Sequence, residues 1–281
     1  MLSHSKLDRF KVSKEELTKL GEEFNSEALP FIKNIYNTSF WILLKKKSTK
    51  KIIKQTFFEA IENCNVTKAS SDWQSWIYRI WMREILDFYS KKEDDTQTIF
   101  DFMDHTELDS KDVVSITNSN KIKSGISEDE LIESLEKMPA VLRIPMIMKE
   151  INSLNYEKIS ELIDVPVGVI ATRIYRARKL LFLSLNQNFS YEDEKRKWGK
   201  SESTKQIFEL RKCSLTVDDE LIQEQKSAFI ESTKNNNQYE NEILIQEEMK
   251  KLFKNCSSDN SSIAQINSKI KRKVRKKFNR H

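Results

Sequence analysis

Glycine and proline are scarce, four of each in 281 residues, and no glycine-rich run occurs. A phosphate-cradling loop is therefore excluded. With so few turn formers among long periodic apolar segments, the chain reads as all-α. Histidine is scarcer still, with His4, His105 and His281 standing alone. The cysteines, Cys64, Cys213 and Cys256, are odd in number and far apart, which excludes a disulfide framework and fits reduced thiols in a cytoplasmic protein. A zinc site takes about four N or S ligands held close together. Neither a CxxC pair nor neighbouring histidines supply them, so no metal and no cofactor is expected. Catalytic residues are not expected either, because carboxylates scattered on helices are more often solvated faces than acid–base pairs. Apolar runs stay short of the roughly 18 residues that span a bilayer, so stable membrane insertion is not expected.

What the chain does have is charge, 32% of its residues, with 48 basic against 43 acidic for a net +5. Its placement matters more than its sum: acidic residues crowd between 93 and 112, basic ones between 269 and 280. Residues 1–26 form a polar arm. From Pro30, well placed to begin a helix, Phe31, Ile32, Ile35, Tyr36, Phe40, Leu43 and Leu44 make an apolar stripe. It ends on Lys45, Lys46 and Lys47, suited to a helix C-terminus. A second helix is expected over 50–64 and a third from Trp73. In the third, Trp73, Trp76, Ile77, Ile80, Trp81 and Phe88 interleave with Arg79, Arg83, Lys91 and Lys92. Rings among cations are what a single-stranded nucleic acid site uses. Helical spacing assigns Trp76, Ile77 and Ile80 to a core and leaves Trp73 and Trp81 open. Residues 93–126 read as an acidic linker. Ser127 and Glu130 then make a capping box, Pro139 starts the next helix, and Pro145 is expected to disturb it.

The stretch LNYEKISELIDVPVGVIATRIYRARKLLFLSL, from 154, organises the rest. Tyr156, Ile159, Leu162 and Ile163 have helical spacing, the pattern breaks after Asp164, and a second helical run begins around Gly168. At about 100° per residue, Ile170, Ile174, Ala177 and Leu181 share a face that packs on the first helix. Thr172, Tyr175, Arg176 and Lys179 then look outward, flanked by Arg173 and Arg178. Such a face suits DNA, since Arg and Lys neutralise phosphates or reach guanine edges; it also fits a solvated helix of an ordinary bundle.

Taken together these residues resemble the extracytoplasmic-function sigma factors. The later match is LEKMPAVLR at 135–143 and LNYEKISELIDVPVGVIATRIYRARKLL from 154, with its VPVG turn and Arg176-Ala177-Arg178; the earlier one is QTFFEAI at 55–61 and WQSWIYRI at 73–80. The resemblance implies a sigma region 2-like domain over 27–92 that binds the polymerase clamp and opens the promoter −10 element. It further implies a region 4-like helix-turn-helix domain over 127–188 that reads the −35 element as duplex. Carried over position by position, Gly168, Thr172, Arg173, Tyr175, Arg176 and Arg178, together with Lys179 of the face above, are the −35 candidates. Trp76, Tyr78 and Arg79 mark the melting helix, and the loop with Ser71, Asp72 and Trp73 lies where the family captures a flipped base. Gln55 and Phe58 sit in the polymerase-binding helix. Expected partners are RNA polymerase core and promoter DNA, with an anti-sigma factor or the chain's own extension as a further candidate. The chain departs from the family in having Lys50, Lys51 and Lys54 where acidic residues usually precede Gln55. It also has Arg83 for the usual Asn, Val169 for the usual Thr, and Asp164 where Gly is frequent, although Asp tolerates left-handed geometry. A free-standing helix-turn-helix regulator, or a sigma-like protein that does not initiate transcription, stands as the alternative.

About ninety residues follow that a minimal sigma factor does not need. Residues 189–262 continue the helical pattern, and 213–230 resemble, weakly, the start of an anti-sigma domain. The expectation is a metal-free helical module that packs on both sigma-like domains and regulates access to polymerase or DNA. From 263, Ile263, Ile266, Ile270, Val274 and Phe278 trace a stripe beside seven Lys and Arg residues. This basic amphipathic tail suits nucleic acid, a membrane surface or an acidic partner such as the linker; a frayed terminus is the alternative.

Overall fold

The computed structural model describes residues 14–64, 72–91, 122, 125–186, 204–234, 236–255 and 259–278, and every regular element among them is helical. The expected linker and Ser71 lie almost wholly outside them. Helices α1 (Lys14–Glu23), α2 (Ile32–Leu43), α3 (Lys46–Asn63) and α4 (Trp73–Ser90) form the first module. Pro30 sits in a 3-10 turn just before α2. Lys46 and Lys47 do not end that helix as expected. Leu44 ends it in a left-handed conformation, φ 56°, its N–H donating to Phe40 O, and the lysines open α3. The buried Leu44 side chain pins that turn.

Four helices follow: α5 (Glu128–Glu136), α6 (Ala140–Asn152), α7 (Tyr156–Ile163) and α8 (Val167–Asn186). The capping box at Ser127 and Glu130 is formed, each side chain taking the other's backbone N–H. Pro145 does not disturb α6, which continues through it. One missing backbone bond is outweighed by the packing of an unbroken buried run from Ala140 to Met148. The extension supplies α9 (Thr204–Val217), α10 (Gln223–Thr233), α11 (Asn237–Leu252) and α12 (Asn260–Phe278).

All of these helices except α9 and α10 contribute to one apolar core that runs from Leu20 to Phe278, and Leu215 of α9 packs against its edge. The two modules touch directly, α2 against α6 and α4 against α7. Buried Arg143 of α6 joins them, donating to Met138 O at 3.1 Å and to Tyr89 Oη of α4 at 3.0 Å, while Tyr89 donates to Ile42 O at 2.9 Å. Trp81 is fully buried, its indole N–H donating to Ser39 Oγ at 2.8 Å, and so belongs to the core. Trp73 is half-buried, edge-on to Phe24 and Trp76.

The basic tail is not a frayed terminus. Its stripe, Ile266, Ile270, Val274 and Phe278, is buried, and α12 packs on α3, α1 and α2. Gly21 permits the approach to α1, because a Cβ there would lie 2.8 Å from Phe278 Cβ. Asp259 caps α12, accepting from Ser262 N–H at 3.1 Å and Ser262 Oγ–H at 2.7 Å. Those bonds hold its carboxyl at a pKa of about 2, below the ordinary 3.8. Asp259→Ala is expected to cost about 1 kcal/mol in urea unfolding. In the unaltered chain this contribution is whole above pH 4 and fades as pH falls through about 2, because the folded pKa is the lower one.

Candidate nucleic-acid interface

The helix-turn-helix is built as its residues require. Asn155 caps α7, its side chain accepting from Lys158 N–H at 2.8 Å, and Tyr156, Ile159 and Leu162 turn inward. Asp164 closes the helix in the left-handed region, φ 60°, its N–H donating to Ser160 O at 2.9 Å. The Asp in place of the frequent Gly therefore serves the turn. On α8, Ile170, Ile174, Ala177 and Leu181 are all fully buried, as their spacing predicts.

The opposite face does not look outward as expected, because helices α9 and α11 lie on it. Arg173, Tyr175, Arg178 and Lys179 are buried, and Thr172, Arg176 and Gly168 are half-buried. Arg178, with a side chain 0% exposed, donates from Nε to Glu150 Oε1 at 2.6 Å and from Nη2 to Asp218 Oδ1 at 2.9 Å. Asp218, just past α9, also accepts from Tyr156 Oη–H at 2.7 Å and faces Lys250 Nζ at 3.4 Å. Burial alone would push its carboxyl up, but the Arg178 guanidinium outweighs that and holds it below the usual range. Glu150 moves the other way, raised by burial. Lys179 is paired with Glu242 of α11. Gln246 donates from Nε2 to Tyr175 O at 3.3 Å and is oriented by Ser214, which donates to its Oε1 at 2.7 Å. Burial lowers the pKa of Arg173. Gly168 leaves room for Arg211 of α9, whose Nη1 would be 3.0 Å from a Cβ at that position.

The first module's candidates are spread differently. Asp72 caps α4, accepting from Ser75 N–H at 2.9 Å, and Arg79 is exposed. Tyr78 is buried and donates to Asn152 Oδ1 of α6 at 2.9 Å, so it faces the second module. On α3, Gln55 is exposed, while the Phe58 ring lies under Lys273 of α12 with Nζ 4.4 Å from its centroid. Sequence reasoning missed Glu150, Asp218, Glu242 and Gln246, the groups that meet the α8 face. Single polar residues on amphipathic helices carry no periodic signal. Among the described residues no group of three potential ligands is placed to hold a metal, and no helix is long and apolar enough to cross a membrane.

Residues 128–181, from the start of α5 into α8, match the sigma-70 region 4 family. Over 133 residues the chain is 22% identical to the ECF RNA polymerase sigma-E factor of Haemophilus influenzae, covering 46% of this chain and 70% of the relative. It is 24% identical over 157 residues to the ECF RNA polymerase sigma factor SigW of Bacillus subtilis, covering 52% and 80%. It is 23% identical over 133 residues to the sigma-E factor of Escherichia coli strain K12, covering 46% and 70%. No solved structure matches it.

Asp218→Ala would leave Arg178 with Glu150 alone and the Tyr156 hydroxyl without its acceptor. Breaking a buried pair by removing one partner costs about 3–5 kcal/mol. Urea unfolding followed by circular dichroism should register a loss of that size, and a loss under about 1 kcal/mol would show the contact to be energetically idle.

Proposed function

The chain belongs to the extracytoplasmic-function sigma factors, and on that premise we propose that it directs RNA polymerase to specific promoters while its own extension holds it closed. The observation that carries this is the cover on α8: Arg178 and Lys179, two of the cations expected at DNA, face Asp218 and Glu242 instead of phosphate. Carboxylates of the extension thus stand in for the anionic ligand. In this reading residues 127–186 read the −35 element through Thr172, Arg173, Tyr175, Arg176, Arg178 and Lys179. Residues 27–92 open the −10 element around Asp72, Trp73, Trp76 and Arg79, and α3 binds polymerase through Gln55 and Phe58. RNA synthesis belongs to the polymerase, in the cytoplasm, and the sigma factor is not an enzyme.

The packing of the two modules supports the closed state further. Promoter elements named for positions about 25 base pairs apart are separated by roughly 85 Å of duplex. Modules in side-by-side contact, with Tyr78 bonded to Asn152 and Arg143 to Tyr89, cannot grip both until those contacts part. Lys273 of α12 over Phe58 covers part of the polymerase-binding candidate as well. One observation favours a second reading: Lys50, Lys51 and Lys54 replace acidic residues before Gln55, which suits a DNA-binding regulator that works without polymerase.

Glu242→Lys sets like charges at the α8–α11 contact. It is expected to raise the yield of promoter complex with core polymerase by about tenfold, equivalent to roughly 1.4 kcal/mol. In that background Arg176→Ala should weaken promoter binding by about 1–3 kcal/mol if Arg176 reads a base. Unchanged yield with Glu242→Lys would refute autoinhibition by this contact. Failure of the purified chain to retain core polymerase would favour the free-standing regulator.

A further inference from the structure

Helices α3 and α12 run side by side in the same direction. Near their starts Lys46 Nζ lies 3.8 Å from Asp259, and near their ends Lys273 and Lys277 reach Glu62 at 2.8 and 3.9 Å. Because Lys273 stacks over Phe58, those two residues mark the seam. Helical geometry of about 100° per residue puts Lys47, Lys51 and Lys54 within roughly 40° of Phe58 on α3. On α12 it puts Lys269 and Lys276 within about 60° of Lys273, on the side turned away from buried Ile270 and Val274, with Arg272 on the outer face.

Lys47, Lys51, Lys269, Arg272 and Lys276 are exposed and Lys54 is half-buried. The acidic groups at the seam are already engaged. The hydrogen bond from Lys273 holds the Glu62 carboxyl below its usual range, and Asp259 is taken up in the α12 cap. The apolar stripe of α12 is fixed in the core, so its cations cannot turn inward. A double row of positive charge therefore stands along two rigid helices. It is built from α12 and from α3, whose Lys51 and Lys54 are among the departures from the family pattern.

We propose that this α3–α12 ridge binds the phosphate backbone of duplex DNA without sequence preference. Each row spans about 10 Å at 1.5 Å per residue. Over that length a duplex presents about six phosphate charges, comparable in number to the cations. Flexible lysines dominate the ridge, which suits point-charge contact with phosphate over bidentate reading of base edges. The ridge does not involve α8, α9 or α11, so it is available while the α8 face is covered, and the proposal does not depend on sigma activity.

The test is fluorescence anisotropy of the full chain with a random-sequence duplex of about 24 base pairs lacking any promoter, from about 50 to 200 mM KCl. The expected slope of log K against log salt is about −4 to −5. Lys269→Gln/Arg272→Gln/Lys276→Gln should make the slope shallower by about three and lower affinity at least tenfold at the low salt end. Lys47→Gln/Lys51→Gln should remove about two. No binding at the lowest salt, or a slope indifferent to both sets of variants, overturns the proposal. Capture of the chain by phosphatidylserine-containing vesicles without any duplex binding overturns it too, in favour of a membrane surface.

Discussion

Arg178 is the constraint around which the closed structure is arranged. A guanidinium with no exposed surface cannot be left without counter-charge, since an isolated buried ion costs far more than the fold can supply. The region 4 module offers one carboxylate, Glu150, and the extension brings the second, Asp218, whose Oδ1 faces both Arg178 and Lys250 and whose Oδ2 accepts from Tyr156. Replacing such a triad by apolar side chains would often cost nothing. Here the charges are matched with α9 seated on α8, although Arg178 Nη1 is buried without a hydrogen-bond partner.

Polar contacts continue across that cover, Lys179 with Glu242 and Gln246 with Tyr175 and Ser214, while Leu210 and Cys213 of α9 and Ile245 and Met249 of α11 are buried as well, and Lys149 of α6 pairs with Glu220 just past α9. The other dock of the extension differs in character. Ile266, Ile270, Val274 and Phe278 bury α12 against the first module, and the fit at Gly21 leaves no space for a side chain. Polar groups regain hydrogen bonds to water when they separate, whereas apolar surface regains nothing. In the proposed reading the α8 cover is the contact that a competing polyanion displaces, with α12 as the anchor.

Local chemistry was legible from sequence wherever a signal is short in range. The capping box at Ser127, the left-handed Asp164, and the buried face from Ile170 to Leu181 all lie within a few residues of what determines them. The fate of the opposite face was not legible. Asp218, Glu242 and Gln246 meet it from 40 or more residues away, and hydrophobic periodicity does not register a polar partner. Tyr78 was hidden in the same way, because Asn152 lies beyond the linker. Pro145 misled for the opposite reason, since a local rule yielded to packing on both sides of α6. The tail's stripe was readable, but its partner α3 was not, being more than 200 residues distant.

Charge ties these features together. A net of +5 over 281 residues describes no surface by itself, because the fold decides which cations are cancelled. On α8, Arg178 and Lys179 meet carboxylates of the extension and lose their field to close pairing. On α3 and α12 the burial of one apolar stripe forces the remaining lysines and arginines to the outside, where Glu62 and Asp259 are too few and already bound. The chain thus buries Arg173, Tyr175, Arg178 and Lys179 of α8 while leaving a positive ridge in water. Salt screens its field beyond about 8 Å at physiological ionic strength, so that ridge acts on what lies against it.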